Sequence, residues 1–357
     1  MKLAVIGPSL EFSKGSYILR SLGRCLESNR IQVFDLGYND IVLNTTALYY
    51  YNKELYSRLQ PILYKNSFRR GIRLLRLLIE KNHFVKYVMK NFDIILTSVT
   101  ALELPGIIEL TKRKFPIIFW DIDSPNISYS RYSSLIDSEK QLVLCYSKGG
   151  VKIWSEHGIE SQLLPLACDT RLFYPRERCL KKIDILFTGR FLRDRIKGYK
   201  RYLYPLVEHF RSRVTIVGQG WAGNKYVCRA TILYGVPYYI LNKLYNMTKI
   251  NINIHRDGSR SCHSALNLRC FEVTGAGQLL LCDNVKGIEE FFENRREIIV
   301  SEGGREMIEY AEYFLYNEEE RNEVAKAAYE RVLKEHTIEH RALTLKKFLE
   351  NKYSYLL

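Results

Sequence analysis

The sequence predicts two doubly wound α/β domains that face each other across a central cleft. Three observations support this fold class: the chain has 357 residues, short apolar runs alternate with longer helical segments, and the alternation pauses once near the middle. At roughly 150 residues per domain, this length corresponds to two domains. Parallel strands that are covered on both faces read as continuous apolar runs, and these runs have that character.

The first half of the chain contains five apolar runs that are rich in β-branched residues. They lie at residues 2–7, 32–37, 93–99, 116–122 and 142–147. A helix through Leu26 follows the first run, and further helical segments lie at 104–114 and 148–157. Regular alternation of strand and helix indicates a parallel sheet with helices on its faces.

A connecting segment at residues 164–182 interrupts the alternation with two prolines and several charges. Five further apolar runs follow, at residues 184–189, 214–218, 250–255, 278–283 and 297–301, before a helical tail from about 304 to 352. Segments of this composition commonly join domains. We therefore expect an N-terminal domain over 1–167, a C-terminal domain over 168–335, and a helix over 336–357 that packs back on the first domain.

The chain is strongly basic. Lysine and arginine number 54 and aspartate and glutamate 39, so the formal net charge is +15. This excess predicts attraction to nucleic acid, to an anionic membrane surface or to phosphate-bearing small molecules. The hydrophobic content of 46% excludes intrinsic disorder, and no apolar run approaches the ~20 residues of a membrane helix. The start lacks the pattern of a secretory signal peptide, so we expect a cytoplasmic protein.

The eight cysteines do not form a recognisable metal motif. No Cys-x-x-Cys pair is present, and no histidine–cysteine cluster has the spacing of a zinc site. We therefore expect reduced, mostly buried thiols and no bound metal.

Residues 264–300 carry the most informative pattern. A helix with Asn267, Arg269 and Glu272 ends at a turn from Gly275 to Gly277, ahead of a buried strand. A carboxylate at the mouth of an α/β sheet can accept hydrogen bonds from the two hydroxyls of a ribose, and small residues allow a tight turn. The alternative is an ordinary helix with a glycine cap and an exposed glutamate.

Four segments in this order resemble the glycosyl transferases group 1 superfamily of GT-B fold, and in particular its CgeB-like branch. They are LPLACDTRLFYP (164–175), DILFTGR (184–190), NLRCFEVTGAGQLLLCDNVKGIEEFF (267–292) and NEEERNEVAKAAYERVLKEHTIEHRALTL (317–345). The resemblance implies a glycosyltransferase that takes a sugar from a UDP- or GDP-linked donor, without a metal or other cofactor. The donor would lie against the C-terminal domain. The acceptor would be a glycan, a lipid-linked sugar or a protein.

The resemblance also assigns roles to single residues. Glu272 matches the glutamate that holds the donor ribose, and Gly275 to Gly277 match the small-residue loop after it. Many relatives carry a second glutamate eight positions earlier, where this chain has Ser264. A retaining reaction is what the resemblance implies, and the missing glutamate leaves inversion open.

A basic cluster follows the first strand of the second domain. Gly189 ends that strand, and Arg190, Arg195 and Lys197 come within the next eight positions. Fixed cations stabilise a departing diphosphate, so we expect Arg190 and Lys197, and next Arg195, to contact it. The alternative is a solvated basic helix face.

Further donor-site residues are expected where other strands of the second domain end. His255 and Arg256 close one strand and Gly218 closes another. Ligands of open α/β sheets bind at this edge, so these residues are expected to line the donor site. The polar loop 257–264 is either part of that site or an ordinary surface loop.

Asp121 and Asp123 form an Asp-x-Asp motif at the end of a buried strand of the first domain. We interpret them as acceptor-side residues, either of which can act as a general base if the reaction inverts the sugar. A divalent metal site is the alternative reading of this motif.

Residues 65–90 carry eight lysines and arginines against one acid, Glu80. A basic amphipathic helix can bind an anionic membrane surface, which would make the enzyme peripheral to the membrane. The alternative is a helix that packs on the sheet and exposes its basic face.

Two other functions stay open. One is a nucleic-acid-binding protein without catalysis, but the sequence contains no recognition motif for nucleic acid, so we do not expect nucleic acid as a partner. The other is a nucleotide-sugar epimerase of the same fold.

Overall fold

Two six-stranded parallel sheets organise the chain, which confirms the predicted α/β fold class with one strand more in each sheet than the sequence indicates. The structure is a computed structural model, and it describes residues 1–7, 14–27, 31–37, 82, 84–122, 125–137 and 139–356. Asp123 and most of the basic segment 65–90 therefore lie outside the described residues. The last residues of this basic segment are described. They lie in a helix over 84–91, and Phe84, Val85 and Val88 are buried in the first domain.

The N-terminal sheet has the strand order β2-β1-β3-β4-β5-β6, and all neighbours pair in parallel. Its strands are β1 (Lys2–Gly7), β2 (Gln32–Gly37), β3 (Ile94–Ser98), β4 (Ile117–Asp121), β5 (Gln141–Cys145) and β6 (Ser161–Leu163). Strands β3, β4 and β5 are buried along their whole length, which explains their continuous apolar sequences. The sequence did not indicate β6, because it is three residues long and two of them are polar.

The C-terminal sheet has the order β12-β11-β10-β7-β8-β9 and is also parallel throughout. Its strands are β7 (Ile183–Thr188), β8 (Val214–Val217), β9 (Thr231–Leu233), β10 (Thr248–Asn253), β11 (Leu280–Asp283) and β12 (Ile299–Ser301). The chain changes direction across the sheet between β7 and β10. A crevice opens at such a switch point, at the carboxyl ends of the strands.

Helices cover both sheets. The longer ones are Lys14–Leu26, Pro105–Lys112, Pro125–Tyr132, Lys148–Ser155, Tyr204–Phe210, Leu268–Gly275, Gly304–Tyr316, Glu318–Glu335 and Ile338–Lys352. The tail predicted as one helical region consists of three helices, and a capping box between Thr337 and His340 starts the last one. Within the described ranges, none of the helices combines the length and the apolarity that crossing a lipid bilayer requires.

The last helix connects the two domains. It packs against helix Lys14–Leu26 of the N-terminal domain. Arg341 donates to the backbone oxygens of Pro165 and Leu166 at 2.9 and 3.2 Å, and the Tyr353 hydroxyl donates to the Lys140 oxygen at 3.0 Å. These buried contacts join the C-terminal helix to the end of the first domain.

Candidate functional site

A cavity of about 630 Å³ lies between the two sheets. The N-terminal domain contributes Ser98, Thr100, Ile122, Tyr146 and Leu166, all at or just after the carboxyl ends of strands. The C-terminal domain contributes the residues that follow β7, β8, β9 and β10. The cavity therefore occupies the crevice that the topology predicts.

Four arginines line this cavity: Arg190, Arg195, Arg256 and Arg269. No aspartate, glutamate or histidine is present among the described residues that line it. Burial and, after it, the charge of Arg269 lower the pKa of Arg195 to about 10. The Nε atom of Arg195 is buried and has no hydrogen-bond partner. A buried donor without an acceptor next to a second cation favours the binding of an anion.

Arg269 is held in place by three neighbours. Its Nε donates to Thr188 Oγ1 at 2.7 Å, its Nη1 donates to Asn253 Oδ1 at 2.7 Å, and its guanidinium lies 5.4 Å from the centre of the Phe187 ring. Asn267 caps the helix that carries it, accepting from the Arg269 backbone N–H at 3.0 Å. The remaining guanidinium nitrogen, Nη2 of Arg269, lies next to Gly189. A Cβ added to Gly189 would be 3.2 Å from it.

Gly189 and Gly218 bring the ends of β7 and β8 together, and both line the cavity. Gly218 has a φ of +157°, and a Cβ there would lie 2.1 Å from the carbonyl oxygen of Gly189. Only glycine allows this approach. The same oxygen accepts from the indole N–H of Trp221 at 2.7 Å. Both predicted glycines therefore form the cavity floor.

Gly275 and Gly277 lie elsewhere. A Cβ on Gly275 would be 2.3 Å from the sulfur of Cys168, and one on Gly277 would be 2.8 Å from Pro175. Neither glycine lines the cavity. Their expected place at the donor is therefore corrected: they let the end of helix Leu268–Gly275 pack closely on the connecting segment.

Glu272 is completely buried and does not line the cavity. One carboxylate oxygen accepts from the Tyr238 hydroxyl, and the other accepts from the Tyr245 hydroxyl at 3.1 Å. Tyr245 is also fully buried, whereas Tyr238 is partly exposed and lines the cavity. In this structure the carboxylate therefore faces two phenol groups, with Tyr238 between it and the cavity.

His255 is likewise buried behind the cavity wall. Its burial disfavours the charged ring, but the Asp283 carboxylate 2.7 Å from Nδ1 outweighs this and raises the pKa of His255 to about 9. The prediction that His255 lines the donor site is corrected by this position. The ring is an ion-pair partner in the interior.

His255, Cys270 and Cys282 bring three ligand-type atoms within 4.8 Å of one another. The side-chain amide nitrogen of Asn253 contacts all three, at 3.3 and 3.4 Å from the two sulfurs and 3.2 Å from His255 Nε2. Asn253 Oδ1 is held by Asn267 and Arg269 on its other side. One buried amide thus joins these three groups to Arg269.

Lys197 does not reach the central cavity. It is exposed and lines a second cleft of the C-terminal domain, of about 590 Å³. Arg201, Arg260 and Lys286 also line that cleft. The expected contact between Lys197 and a diphosphate in the central crevice is therefore corrected. Arg256 does line the crevice, and it forms an ion pair with Asp194 at 3.4 Å.

Asp121 is buried below the cavity and does not line it. Its two oxygens accept from the Ser128 hydroxyl at 2.8 Å and from the indole N–H of Trp154 at 3.0 Å. This placement corrects the catalytic role expected for Asp121: the carboxylate fixes two neighbouring helices to the end of β4.

Ser264 occupies the position where many relatives have a glutamate. Its hydroxyl donates to Glu290 at 2.8 Å, and Lys148 of the N-terminal domain pairs with the same carboxylate at 2.8 Å. The segment therefore connects the two domains at the side of the cleft.

Sequence reasoning missed three residues that shape the site: Thr188, Tyr238 and Asn253. Thr188 and Asn253 orient Arg269. An asparagine inside the apolar strand β10 was a usable signal, because a buried amide needs partners. Nothing in the local sequence distinguishes Tyr238 from the chain's other 25 tyrosines.

Comparisons with known proteins agree with this geometry. Residues 193–347 match a family model described as "Glycosyl transferase-like". A search of curated proteins with the sequence found no significant match.

Solved structures of similar fold cover nearly the whole chain. HepE of Anabaena in complex with UDP-glucose has a TM-score of 0.68 at 11% identity, over 98% of this chain and 100% of that chain. Sucrose-phosphate synthase of Thermosynechococcus elongatus has a TM-score of 0.66 at 12% identity, over 99% of this chain and 100% of that chain. The β-glucosyltransferase of phage T4 has a TM-score of 0.61 at 13% identity, over 99% of both chains. Residues 193–347 thus resemble the glycosyl transferase-like family, and the chain as a whole has the GT-B fold.

Proposed function

We propose that this protein transfers a sugar from a nucleoside diphosphate sugar to an acceptor hydroxyl. The observation that carries the proposal is the cavity lined by Arg190, Arg195, Arg256 and Arg269, with no acid among its described lining residues. A diphosphate has the charge that this wall attracts. As the sugar leaves, negative charge grows on the diphosphate, and fixed guanidinium groups stabilise that charge without reorganisation.

The nucleoside would lie beside the diphosphate, along the wall formed by Val217, Gln219, Val236 and Leu241. This wall is mostly apolar, as expected for the site of a base. UDP is our first choice of nucleotide, because the HepE and phage T4 relatives were solved with UDP-glucose. A GDP-linked donor stays a second choice.

The acceptor would enter from the N-terminal domain, where Ser98 and Thr100 offer hydroxyls to the cavity. Among the described lining residues no carboxylate or imidazole is available as a base. The departing diphosphate can take the proton of the acceptor hydroxyl instead, which favours retention of the sugar configuration. The arginines would also supply the positive charge that a metal provides in other enzymes, so we propose a metal-independent reaction.

A binding experiment tests this function directly. Thermal unfolding and calorimetry with UDP, GDP, ADP and dTDP should show that one nucleotide stabilises the wild-type protein, by about 2.7 kcal/mol at a hundredfold excess over Kd. Arg195→Gln should weaken its binding about tenfold to a hundredfold, since a charge-assisted contact is lost. The variant should still fold, because Arg195 Nε leaves no partner behind.

Lys197→Gln is the matched control. It makes the same change of charge two positions away, but its side chain lines the second cleft and not the central cavity. It should bind the nucleotide like the wild type. If no nucleotide stabilises the wild type while duplex DNA binds tightly with a strong salt dependence, the protein is a nucleic-acid binder and the proposal is wrong. Product analysis without acceptor separates transfer from epimerisation.

A further inference from the structure

The two walls of the central cavity meet at one side of the cleft. Tyr146 of the N-terminal domain and Ser259 of the C-terminal domain both line the cavity, and their hydroxyl oxygens lie 3.3 Å apart. The helix Lys148–Ser155 begins two residues after Tyr146, and Ser259 lies in the segment 257–264. Contacts between this helix and this segment therefore fix the distance between the two walls at this side.

The first turn of helix Lys148–Ser155 packs directly on the segment 257–264. The Gly149 N–H donates to the carbonyl oxygen of His263 at 3.0 Å. A Cβ on Gly149 would lie 2.5 Å from the sulfur of Cys262 and 2.9 Å from the backbone nitrogen of His263. The two segments are thus in backbone contact, and neither can shift along the other without breaking the Gly149 hydrogen bond.

Glu290 receives hydrogen bonds from both domains. Lys148 Nζ and His263 Nε2 donate to one of its oxygens at 2.8 and 2.9 Å, and the Ser264 hydroxyl donates to the other at 2.8 Å. Burial opposes ionisation of this carboxyl, but the hydrogen bonds from Lys148 and Ser264 outweigh it and lower the pKa of Glu290. The carboxylate is therefore charged at neutral pH, and charge-assisted hydrogen bonds join the helix to the segment through it.

The backbone next to Glu290 adopts two conformations with positive φ. Ser264 has a φ of +64°, which residues with a side chain rarely adopt, and its N–H donates to the Lys286 oxygen at 2.7 Å. Gly287, with a φ of +84°, caps the 3₁₀ helix Ile288–Glu290, and a Cβ there would lie 2.3 Å from the His263 ring. An unfavourable conformation persists only where its surroundings hold it, so the turn that carries Glu290 holds the end of the segment 257–264 in place.

We propose that Glu290 is a positioning residue for sugar transfer: it holds helix Lys148–Ser155 and the segment 257–264 together, so that the two walls of the cavity keep the spacing that the reaction needs. This inference rests on the proposed function. Glu290 itself does not line the cavity, so it acts through its three hydrogen-bond donors. Many relatives have a glutamate at the position of Ser264, and here a carboxylate reaches that residue from the turn after β11 instead.

An exchange of charges across the contact tests this role in the whole chain. Lys148→Glu and Glu290→Lys each place two like charges in contact, and the double variant restores an ion pair with its charges exchanged. Hydrogen exchange of the backbone amides in 146–155 and 257–264 should become about fivefold faster in each single variant. In the double variant it should return most of the way to the wild-type rate.

Binding and turnover should respond differently. Calorimetry should show that Lys148→Glu binds UDP like the wild type, because the arginine wall is unchanged. Release of UDP from UDP-glucose should be about tenfold slower, since a misplaced wall affects the reaction more than the binding of the nucleotide, and the double variant should recover it. The guanosine series replaces these ligands if GDP is the nucleotide that binds. A residue that only adds stability would not separate the two measurements.

Lys152→Glu is the matched control. It makes the same change of charge one turn further along the same helix, but Lys152 pairs with Glu156 of that helix at 3.6 Å. It should leave both hydrogen exchange in 257–264 and UDP release unchanged. Thermal unfolding checks that each variant is folded. If Glu290→Lys does not fold, Lys148→Gln and Glu290→Gln take its place, and together they should exchange no faster than either alone.

Two results would overturn the inference in different ways. If Lys148→Glu matches the wild type in hydrogen exchange and in UDP release, the contact does not position the walls. If the wild type binds no nucleotide and releases no UDP, the proposed function has failed, and the role of Glu290 in transfer fails with it. Hydrogen exchange distinguishes the two cases, because it reports the contact between the domains without any ligand.

Discussion

The Nδ1 atom of His255 lies 2.7 Å from Oδ1 of Asp283, and both side chains are completely buried. The His255 backbone N–H also donates to this carboxylate at 3.0 Å, and Arg260 pairs with its other oxygen at 3.3 Å. The ion pair joins the ends of β10 and β11. On its cavity side lies Asn253, the residue that orients Arg269. A charged pair thus supports, through Asn253, the cavity wall that carries Arg269.

We expect this ion pair to stabilise the protein at neutral pH and to lose that effect in alkali. Burial disfavours the imidazolium, but Asp283 raises the pKa of His255 from 6.5 to about 9. Because the folded state binds the proton more tightly than the unfolded state, the stabilisation is complete below about pH 6.5. It is lost as the pH rises through about 9. The shift corresponds to about 3 kcal/mol.

Urea unfolding at about pH 6, 8 and 9.5 measures the contribution of the ion pair. It is the difference in the free energy of unfolding between the wild type and His255→Gln. Burial lowers the pKa of Lys181 to about 8. The unfolded state therefore keeps this proton to a higher pH than the folded state, and the free energy of unfolding rises as the pH rises above about 8. Lys181 is present in both proteins, so its effect cancels in the difference. A difference that does not change with pH would show that the pKa of His255 is the same in the folded and the unfolded state.

Sequence patterns predicted the sheets better than the site. Continuous apolar runs identify ten of the twelve strands, and the two missed ones, β6 and β9, have three residues each and are partly exposed. The orientation of Arg195 and Lys197 could not be predicted from helical periodicity. Residues Arg193–Arg195 form a 3₁₀ turn, and the chain changes to an α-helical turn at Ile196, so the spacing of side chains around the axis changes between Arg195 and Lys197.

Long-range pairing explains the other differences. Tyr238 precedes its partner Glu272 by 34 positions, and its role depends on how the segment after β9 folds back on the helix. Asp121 was expected in the cleft because it ends a strand. Ser128 and Trp154 bind it from helices that sequence alone does not place.

Gly218→Ala should damage both the fold and nucleotide binding. The new Cβ would lie 2.1 Å from the Gly189 oxygen and 2.8 Å from the Arg190 nitrogen, so the end of β7 must move. We expect a loss of at least about 2 kcal/mol in the free energy of unfolding, since backbone overlap is added to an unfavourable φ. Urea unfolding and calorimetry with the nucleotide measure the two effects.

Gly223→Ala is the control for the backbone angle alone. Gly223 has a φ of +74°, and a Cβ there would meet no atom within 4 Å. It should cost about 1 kcal/mol and leave nucleotide affinity unchanged. Equal losses in the two variants would show that close packing of Gly218 on Gly189 contributes nothing.

Asp121→Asn should destabilise the protein without a specific effect on catalysis. The amide replaces one acceptor oxygen by a donor, which then faces the Ser128 hydroxyl or the Trp154 N–H. An unsatisfied buried donor costs about 1–3 kcal/mol. Thermal unfolding should show the loss, and the folded fraction should keep the KM of the wild type for the nucleotide sugar.

Ser128→Ala removes the hydrogen bond from Ser128 to Asp121 by deleting its donor, and leaves the carboxylate in place. It should lower the free energy of unfolding by about 1 kcal/mol. A fall in kcat of about a thousandfold or more in Asp121→Asn, with Ser128→Ala fully active, would restore a catalytic role for this carboxylate.

Acid should destabilise the junction between the C-terminal domain and the last helix through His336. Its Nε2 lies 3.0 Å from the Phe291 carbonyl oxygen and its Nδ1 lies 3.3 Å from Arg341 Nη2, so Nε2 donates and Nδ1 accepts. Burial lowers the pKa of His336 to about 4; the Phe291 carbonyl opposes this, and the charge of Arg341 adds to it.

The unfolded state therefore takes up the proton first, at about pH 6.5, and stability falls as the pH drops from there towards about 4. The full loss is about 3 kcal/mol. Urea unfolding at about pH 7, 5.5 and 4.5 should show a steeper decline for wild type than for His336→Gln, whose side chain does not titrate. His157→Gln, which replaces an exposed histidine, should decline like the wild type. If wild type and His336→Gln decline in parallel, His336 takes up its proton as readily in the folded as in the unfolded protein, and Arg341 must then have moved away from its ring.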